Sequence, residues 1–250
     1  MRFILILYFL LPFASVASED TPDPVATTLK YCLSGSGNYY PYYTHDADKP
    51  GILPEIVKAI LTTANIQGEN LELPAKRTIQ YLNSEQIDFD ILSPSWLTDE
   101  EKRNPKFVFS APIMDIKEFV VTQQKTPKGP LLRGQQVGTV RGYYYHDDML
   151  FERLDFSSER ELLQALKMGR VDRIIIGDLP ARYWGEKLGI DFELNAEHSS
   201  GSLHLRLLAK HRALLPKLNA AIQVLRDSGR VAEIEQSYVT NLHSLPHDPH

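Results

Sequence analysis

Apolar strand patterns alternate with amphipathic helix patterns along most of this chain, and this alternation limits the folds that it can adopt. Short apolar segments at residues 29–33, 87–92 and 171–176 have the length and composition of buried strands. Between and after them, apolar residues recur at helical spacing, for example over residues 53–64 and 212–228. The order of these patterns predicts an α/β protein in which helices cover mostly parallel sheets.

A Pro- and Gly-rich segment, KTPKGP at residues 125–130, predicts a boundary between two lobes. Few strand patterns follow it before residue 200, so we expect the chain to cross to a second lobe and return. Residues 29–120 and 204–240 are assigned to lobe 1, and residues 125–199 to lobe 2. Because ligands of open α/β sheets lie beyond the carboxyl ends of the strands, two facing lobes would enclose one cleft.

The N-terminal segment has the pattern of an export signal. Arg2 precedes an apolar run at residues 3–13, and Ser-Val-Ala at residues 15–17 fits the needs of signal peptidase. The run is shorter than the roughly 20 apolar residues that span a bilayer. Residues 1–17 are therefore predicted to be a cleaved signal peptide that directs the protein to the periplasm. A retained membrane anchor is the alternative.

The composition argues against several other classes of protein. Basic and acidic residues number 27 and 32, and the basic ones are scattered, so no nucleic-acid partner is expected. Cys32 is the single cysteine, which rules out an internal disulfide. The sequence shows no metal-ligand spacing, phosphate-binding loop or nucleophile elbow, so we predict no cofactor, no metal and no catalytic residue. Residues 241–250 form a polar tail whose histidines fit a frayed end better than a metal-binding tract.

Six segments carry a family resemblance: NYYPYY with KPGILPEIVKAI, PAKRTIQYLNSEQIDFDIL, KRNPKFVFSAPI, QVGTVRG, ELLQALKMGRVDRIII and LLPKLNAAIQVLRDSGRVAEIEQSY. In this order they resemble the periplasmic proteins of bacterial extracellular solute-binding family 3, the polar amino acid type. The resemblance implies a type II periplasmic binding protein fold, with two lobes of mixed, mostly parallel sheets joined by a two-segment hinge. It also implies a monomer without enzymatic activity. Such a protein closes on a small polar solute and delivers it to an ABC permease in the inner membrane.

In lobe 1, the resemblance places an anion-binding residue in the charged turn after residues 87–92. Arg103 lies six residues before Phe109, the spacing at which the family's arginine grips a ligand carboxylate. The alternative is a solvated Arg103 that pairs with Glu100 or Asp99.

Further ligand contacts are expected from two loops of lobe 1. Ser93 and Ser95 stand where the family surrounds the ligand's carboxylate and amine, or else they only cap the next turn. Trp96 beside them either walls the pocket or fills the core. Tyr40 and Tyr43, from a loop with four tyrosines, are predicted to form an aromatic floor.

In lobe 2, Gly142 holds the position of the family's glycine turn, where a helix N-terminus and hydroxyl donors meet an anionic group. Three tyrosines follow it, and Tyr144 is expected to line the pocket. Asp178 resembles the acid that holds a ligand's ammonium group, one residue late relative to the Gly-Arg-Val-Asp landmark. The family's Thr-x-x-Arg spacing is altered too, since Glu101 stands three residues after Thr98. These departures predict a pocket that differs from the family's.

Two other functions are compatible with the same fold. One is a co-sensor that docks on a membrane receptor when it carries its solute. The other is a periplasmic enzyme similar to the dehydratases related to this family, in which Asp115, Glu118 or Asp178 would act as acid or base. No paired acid and base stand at a convincing spacing, so a binding protein is the favoured interpretation.

Overall fold

The structure, a computed structural model, describes residues 28–37, 39–123 and 132–239. The predicted signal peptide, the KTPKGP segment and the polar tail lie outside these residues. Of the helices within them, none has both the length and the hydropathy that a membrane span requires.

The described residues form ten strands, which are in chain order β1 (Thr28–Cys32), β2 (Gln67–Asn70), β3 (Phe89–Leu92), β4 (Phe107–Phe109), β5 (Asp115–Thr122), β6 (Gln136–Val140), β7 (Glu152–Phe156), β8 (Arg173–Gly177), β9 (Glu193–Ser202) and β10 (His204–Leu208). They also form seven α-helices, which are α1 (Ile52–Thr63), α2 (Ala75–Asn83), α3 (Asp99–Lys102), α4 (Glu159–Lys167), α5 (Asp178–Leu188), α6 (Leu215–Asp227) and α7 (Arg230–Val239). Short 3₁₀ turns occupy Pro94–Trp96, Asp148–Leu150 and Ala209–Leu214.

The first sheet has the strand order β2-β1-β3-β10-β4. Strand β1 runs parallel to β2 and β3, whereas β10 runs antiparallel to β3 and β4. Helix α1 covers this sheet with Ile52, Ile56 and Ile60, which are buried at helical spacing. Strand β10 returns to this sheet, and α6 and α7, which follow it, pack against α1 of the same lobe.

The second sheet has the order β7-β6-β8-β5-β9, with β6 parallel to β7 and β8. Strand β5 pairs antiparallel with both β8 and β9. The sequence placed residues 115–120 in lobe 1, and here the structure corrects the boundary. The hydrogen bonds of β5 all join it to lobe 2, so the lobe changes before Asp115. The two mixed sheets with their covering helices confirm the predicted fold class.

Two adjacent segments connect the lobes. One links β4 to β5 and the other is the single residue Leu203 between β9 and β10. They are hydrogen-bonded to each other, since Ile113 N donates to Leu203 O (2.9 Å) and Leu203 N donates to Met114 O (2.8 Å). Two adjacent crossings of this kind, which run in opposite directions, form a two-segment hinge.

Some elements differ from their sequence patterns. The segment Leu71-Glu72-Leu73 predicts a short strand. The strand is instead β2, which begins four residues earlier and whose residues are all exposed. Strand β2 is an edge strand held by backbone pairing with β1, so its side chains need no apolar pattern. Strands β7 and β9 were not predicted for the same reason, because both lie at the edges of the second sheet and carry many polar residues.

Candidate functional site

A cavity of about 100 Å³, called here the inner cavity, lies between the two lobes. Lobe 1 lines it with residues that follow β1 and β3 and with the first turns of α2, and lobe 2 contributes β5 and the loop after β6. Four aromatic side chains line it, Tyr39, Trp96, Tyr143 and Tyr144. The carboxyl groups of its lining belong to Asp90 and Glu118, and the described lining residues include no Lys, Arg or His. The site is therefore aromatic and acidic.

Trp96 is the predicted residue with the clearest binding chemistry. It ends the 3₁₀ turn that follows β3 and lines the inner cavity. Its indole Nε1 is buried and has no hydrogen-bond partner among the described residues. A buried donor left unpaired costs about 1–3 kcal/mol. An acceptor atom on a bound solute would remove that cost.

The predicted serines lie at the junction of the lobes rather than in the cavity lining. The Ser93 hydroxyl accepts a hydrogen bond from Ser95 N (3.3 Å), and the two hydroxyl oxygens are 2.8 Å apart. Gly201 of β9 lies against them, since a Cβ added there would be 2.8 Å from Ser93 Oγ. Sequence reasoning thus selected a pair that meets lobe 2 beside the hinge.

The tyrosine loop of lobe 1 also reaches lobe 2. Tyr40 stacks on Tyr183 of α5 with a centroid distance of 5.0 Å and meets Trp184 edge-on. Tyr39, which the sequence did not single out, lines the cavity in its place. Tyr43 is buried beside His45, and burial raises the pKa of its phenol, with a hydrogen bond to Glu72 adding to the effect.

Gly142 lies where the loop after β6 touches the start of α2. Its φ is 85°, a left-handed conformation that favours glycine. A Cβ at this position would lie 2.6 Å from Lys76 N, in the first turn of α2. The two lobes therefore approach each other here at backbone distance, and only glycine permits it.

Tyr143 joins the lobes by hydrogen bonds. Its hydroxyl accepts from Ser36 N of lobe 1 (3.1 Å) and donates to Glu159 Oε1 of lobe 2 (2.7 Å). The Ser36 hydroxyl donates to the other oxygen of Glu159. Burial raises the pKa of Glu159 to about 7, against the lowering effect of these two hydrogen bonds. We call Ser36, Tyr143 and Glu159 the interlobe triad.

A buried ion pair lies behind Tyr144. Arg206 of β10 donates from Nε and Nη2 to the two oxygens of Asp90 at 2.9 and 2.6 Å. The guanidinium also lies over the rings of Tyr144 and Phe107, at 5.3 and 5.0 Å from their centroids. The Asp90 charge is thus neutralised, and Arg206 holds the Tyr144 ring at the cavity wall. An arginine within an otherwise apolar strand, HLRLL, was the sequence signal for this pair.

Glu118 is the second carboxylate of the inner cavity. It lies on β5, is buried, and accepts a hydrogen bond from Ser199 Oγ (2.7 Å). His198 Nδ1 lies 3.6 Å from Glu118 Oε2. No described cation forms a close ion pair with Glu118 apart from this imidazole. Glu118 appeared in the sequence analysis only as a candidate acid for an enzyme.

Arg103 and Asp178 lie away from the inner cavity lining. Arg103 is exposed at the C-terminal end of α3, a helix that begins with a capping box between Thr98 and Glu101. Those two residues line a larger outer cavity of about 500 Å³ at the cleft mouth, and Arg103 does not. Asp178 is half-buried at the first residue of α5, where burial raises its pKa. Their ligand roles stay predictions.

The charges of the outer cavity differ from those of the inner one. Positive and negative groups are mixed along its lining: Lys76, Arg141, Arg153, Glu101, Asp148 and Asp155. The two cavities adjoin, since Gly142, Tyr143 and Tyr144 line both.

The sequence profile of the bacterial extracellular solute-binding proteins, family 3, matches residues 32–241. The chain belongs to this family. No curated protein sequence matches it significantly.

Solved structures of periplasmic binding proteins and of a related sensor domain share the fold at low sequence identity. A mutant of ArgBP from T. maritima is 19% identical, with a TM-score of 0.69 over 85% of this chain and 95% of that one. An arginine-transport periplasmic binding protein from Legionella pneumophila is 18% identical, with a TM-score of 0.68 over 84% and 99%. A histidine kinase sensor domain similar to periplasmic binding proteins is 18% identical, with a TM-score of 0.69 over 84% and 95%.

Proposed function

We propose that this family 3 protein binds a small, polar, amino-acid-like solute in the periplasm and delivers it to an ABC permease of the inner membrane. The observation that carries the proposal is the inner cavity, which residues of both lobes line across a two-segment hinge. A cleft of this kind removes a small solute from water on both sides when the lobes close.

The lining favours a solute with a cationic group. Glu118 offers a buried carboxylate, and aromatic faces attract cations that lie within about 6 Å of the ring centre. Trp96 Nε1 adds a donor for an acceptor atom of the same molecule. An amino acid, a basic amino acid above all, or a small polyamine combines these groups. The relatives that carry arginine in their names are consistent with this class.

The solute class is tested by isothermal titration calorimetry against arginine, lysine, glutamine, glutamate and putrescine. Solutes with a cationic side chain are expected to bind, and Glu118→Gln is expected to weaken them by at least about tenfold, the effect of one lost charged contact of ~1.4 kcal/mol. Asp115→Asn is the matched control, since Asp115 is exposed on the same strand. Binding of glutamate alone, or equal affinities for wild type and Glu118→Gln, would contradict the cationic class.

Delivery to an importer is tested separately from binding. Uptake of the labelled solute by cells that lack this protein should fall, and the wild-type chain should restore it. A protein that binds its solute, leaves uptake unchanged and copurifies with a membrane receptor only when loaded would instead be a co-sensor. Recovery of chemically altered solute after incubation would indicate an enzyme.

A further inference from the structure

Two histidines and an aspartate meet in lobe 2, outside the inner cavity lining. His146 and Asp147 lie in the loop after β6, and His198 lies on β9, so the fold joins residues that the sequence separates widely. One potential ligand atom from each of the three lies within 4.8 Å of the other two. His198 Nε2 is 2.8 Å from Asp147 Oδ1, and the two imidazole rings are 5.0 Å apart.

Each of the two imidazoles has one buried nitrogen, Nδ1, without a hydrogen-bond partner among the described residues. The His198 side chain is only 2% exposed, and its Nδ1 has no hydrogen-bond partner among the described residues. His146 Nδ1 is also buried and also has no hydrogen-bond partner among the described residues. Buried nitrogen atoms of this kind require an explanation, because almost all buried polar groups in proteins are paired.

The surroundings of His198 have the arrangement that metal-binding histidines use. Its Nε2 faces Asp147, whereas its Nδ1 faces the Glu118 carboxylate at 3.6 Å. A histidine that ligates a metal through one nitrogen usually presents the other N–H to a carboxylate, which fixes the tautomer and the ring. Ser199 Oγ in turn donates to Glu118 and holds that carboxylate in place.

The charge balance also favours a dication. Asp147 and Glu118 bring two carboxylates to the imidazole of His198. Arg153 lies on β7, the strand that follows the loop of His146 and Asp147, and it forms ion pairs with Asp148 and Asp155 instead of Asp147. Two nitrogen ligands and one oxygen ligand are a donor set that Zn²⁺ accepts, with the remaining position open to solvent or substrate.

We propose that His146, Asp147 and His198 form a Zn²⁺ site in lobe 2, with Glu118 as the carboxylate that orients His198. Ligand atoms of a tetrahedral zinc site are about 3.4 Å apart, so the most separated pair of the cluster, at up to 4.8 Å, must draw closer by up to about 1.4 Å. The His198 Nε2 and Asp147 Oδ1 atoms, now 2.8 Å apart, must separate by about 0.6 Å. The site lies next to the solute cavity, because Glu118 borders both. A bound dication would therefore also fix the orientation of the Glu118 carboxylate, whose other side faces the inner cavity.

The test uses the full chain without an affinity tag, stripped with a chelator and then titrated with Zn²⁺ against a chromophoric competitor. One equivalent is expected to bind at micromolar concentration or tighter. His146→Gln and His198→Gln should each weaken binding by more than about tenfold, the loss that even an indirect ligand partner causes. Substitution with Co²⁺ should give the absorption bands of a four-coordinate site in wild type and not in either variant.

Controls separate this site from the other histidines. A full-length chain with His243→Gln, His247→Gln and His250→Gln should still bind one equivalent of Zn²⁺. The same result is expected for His211→Gln, whose imidazole pairs with Asp88 in lobe 1. Circular dichroism checks that each variant folds. Asp147→Asn, which removes the charge of the oxygen ligand, should also weaken Zn²⁺ binding. Absence of stoichiometric binding in wild type, or binding that survives in both His146→Gln and His198→Gln, would overturn the proposal. His198 would then only bridge two carboxylates.

Discussion

Arg206 lies directly opposite Asp90 in neighbouring antiparallel strands, and its guanidinium donates hydrogen bonds to both carboxylate oxygens of Asp90, which lines the inner cavity. Only 4% of Arg206 and 6% of Asp90 is exposed, so each charge depends on the other for compensation. Desolvation opposes the charge of Arg206, and the Asp90 carboxylate outweighs it, which raises the pKa of the guanidinium further.

Removing one partner of this pair is expected to destabilise the protein strongly. Asp90→Asn leaves a buried guanidinium without its counter-charge, at a cost of about 3–5 kcal/mol in the free energy of unfolding. The double variant Asp90→Asn with Arg206→Met removes both charges and should recover a large part of this loss. Urea unfolding of the wild type, both single variants and the double variant measures the coupling. A loss in the double variant equal to the sum of the losses in Asp90→Asn and Arg206→Met would show that the pair is not coupled.

Glu159 should make stability depend on pH. Burial raises its pKa to about 7 from an unfolded value of 4.5, so the folded chain retains the proton between these values and the unfolded chain loses it. The resulting stability is complete below pH 4.5 and declines as the pH rises to about 7, by about 3 kcal/mol in total.

Glu159→Gln should flatten this part of the profile of unfolding free energy against pH. Glu161→Gln on the same helix is the control. Hydrogen bonds from Ser157 lower the pKa of Glu161 below its unfolded value of 4.5, so its contribution to stability changes with pH only below 4.5. Glu161→Gln should therefore leave the slope between pH 4.5 and 7 unchanged. A Glu159→Gln profile with the wild-type slope would mean that the interlobe triad does not hold a proton in this range.

Gly142 offers a test of closure that changes no polar side chain of the inner cavity. In Gly142→Ala the new Cβ would meet the backbone of Lys76, so the lobes could not approach fully. We expect solute affinity to fall by about tenfold or more, or ~1.4 kcal/mol. Gly169→Ala is the matched control, because it has a similar positive φ and nothing within 4 Å of its Cβ. It should lose a little stability from backbone strain and keep its affinity.

Small-angle scattering with and without solute shows whether the loss in Gly142→Ala comes from closure. The wild type and Gly169→Ala should become more compact on binding, and Gly142→Ala should change less. Full compaction of Gly142→Ala at wild-type affinity would show that the contact with α2 does not limit the approach of the lobes.

The fold could be read from the sequence further than the site could. Strands with buried faces on both sides, such as β3 and β8, were predicted from their apolar residues. Gly142 was selected as a turn that meets an anionic ligand group, and its backbone contact with α2 was not predicted. The edge strand β2 was not predicted at its observed position, since backbone pairing with β1 holds it without an apolar side-chain pattern. The histidine cluster was invisible because β9 brings His198 to a loop that is 51 positions away in the sequence.

The carboxylates of the cavity show the same limit. Asp178 fitted a family spacing by position, whereas Glu118 fitted none, and only the pairing of β5 with β9 shows Glu118 beside the cavity and Ser199. Sequence spacing reports positions along the chain. A ligand site also depends on which strands become neighbours, and that is set by packing across both lobes.

Arg103 is the residue for which the family spacing and the structure can be separated most directly. Its side chain is exposed beyond α3 and lies outside the lining of both cavities, so we expect Arg103→Ala to change solute affinity by less than about twofold, as for most exposed positions. Lys102→Ala, which removes the neighbouring charge and its ion pair with Asp99, is the control for a general electrostatic effect. Calorimetry at two salt concentrations distinguishes a direct contact from such an effect. A loss of tenfold or more in Arg103→Ala alone, insensitive to salt, would show that Arg103 turns inward and grips the solute as the family's arginine does.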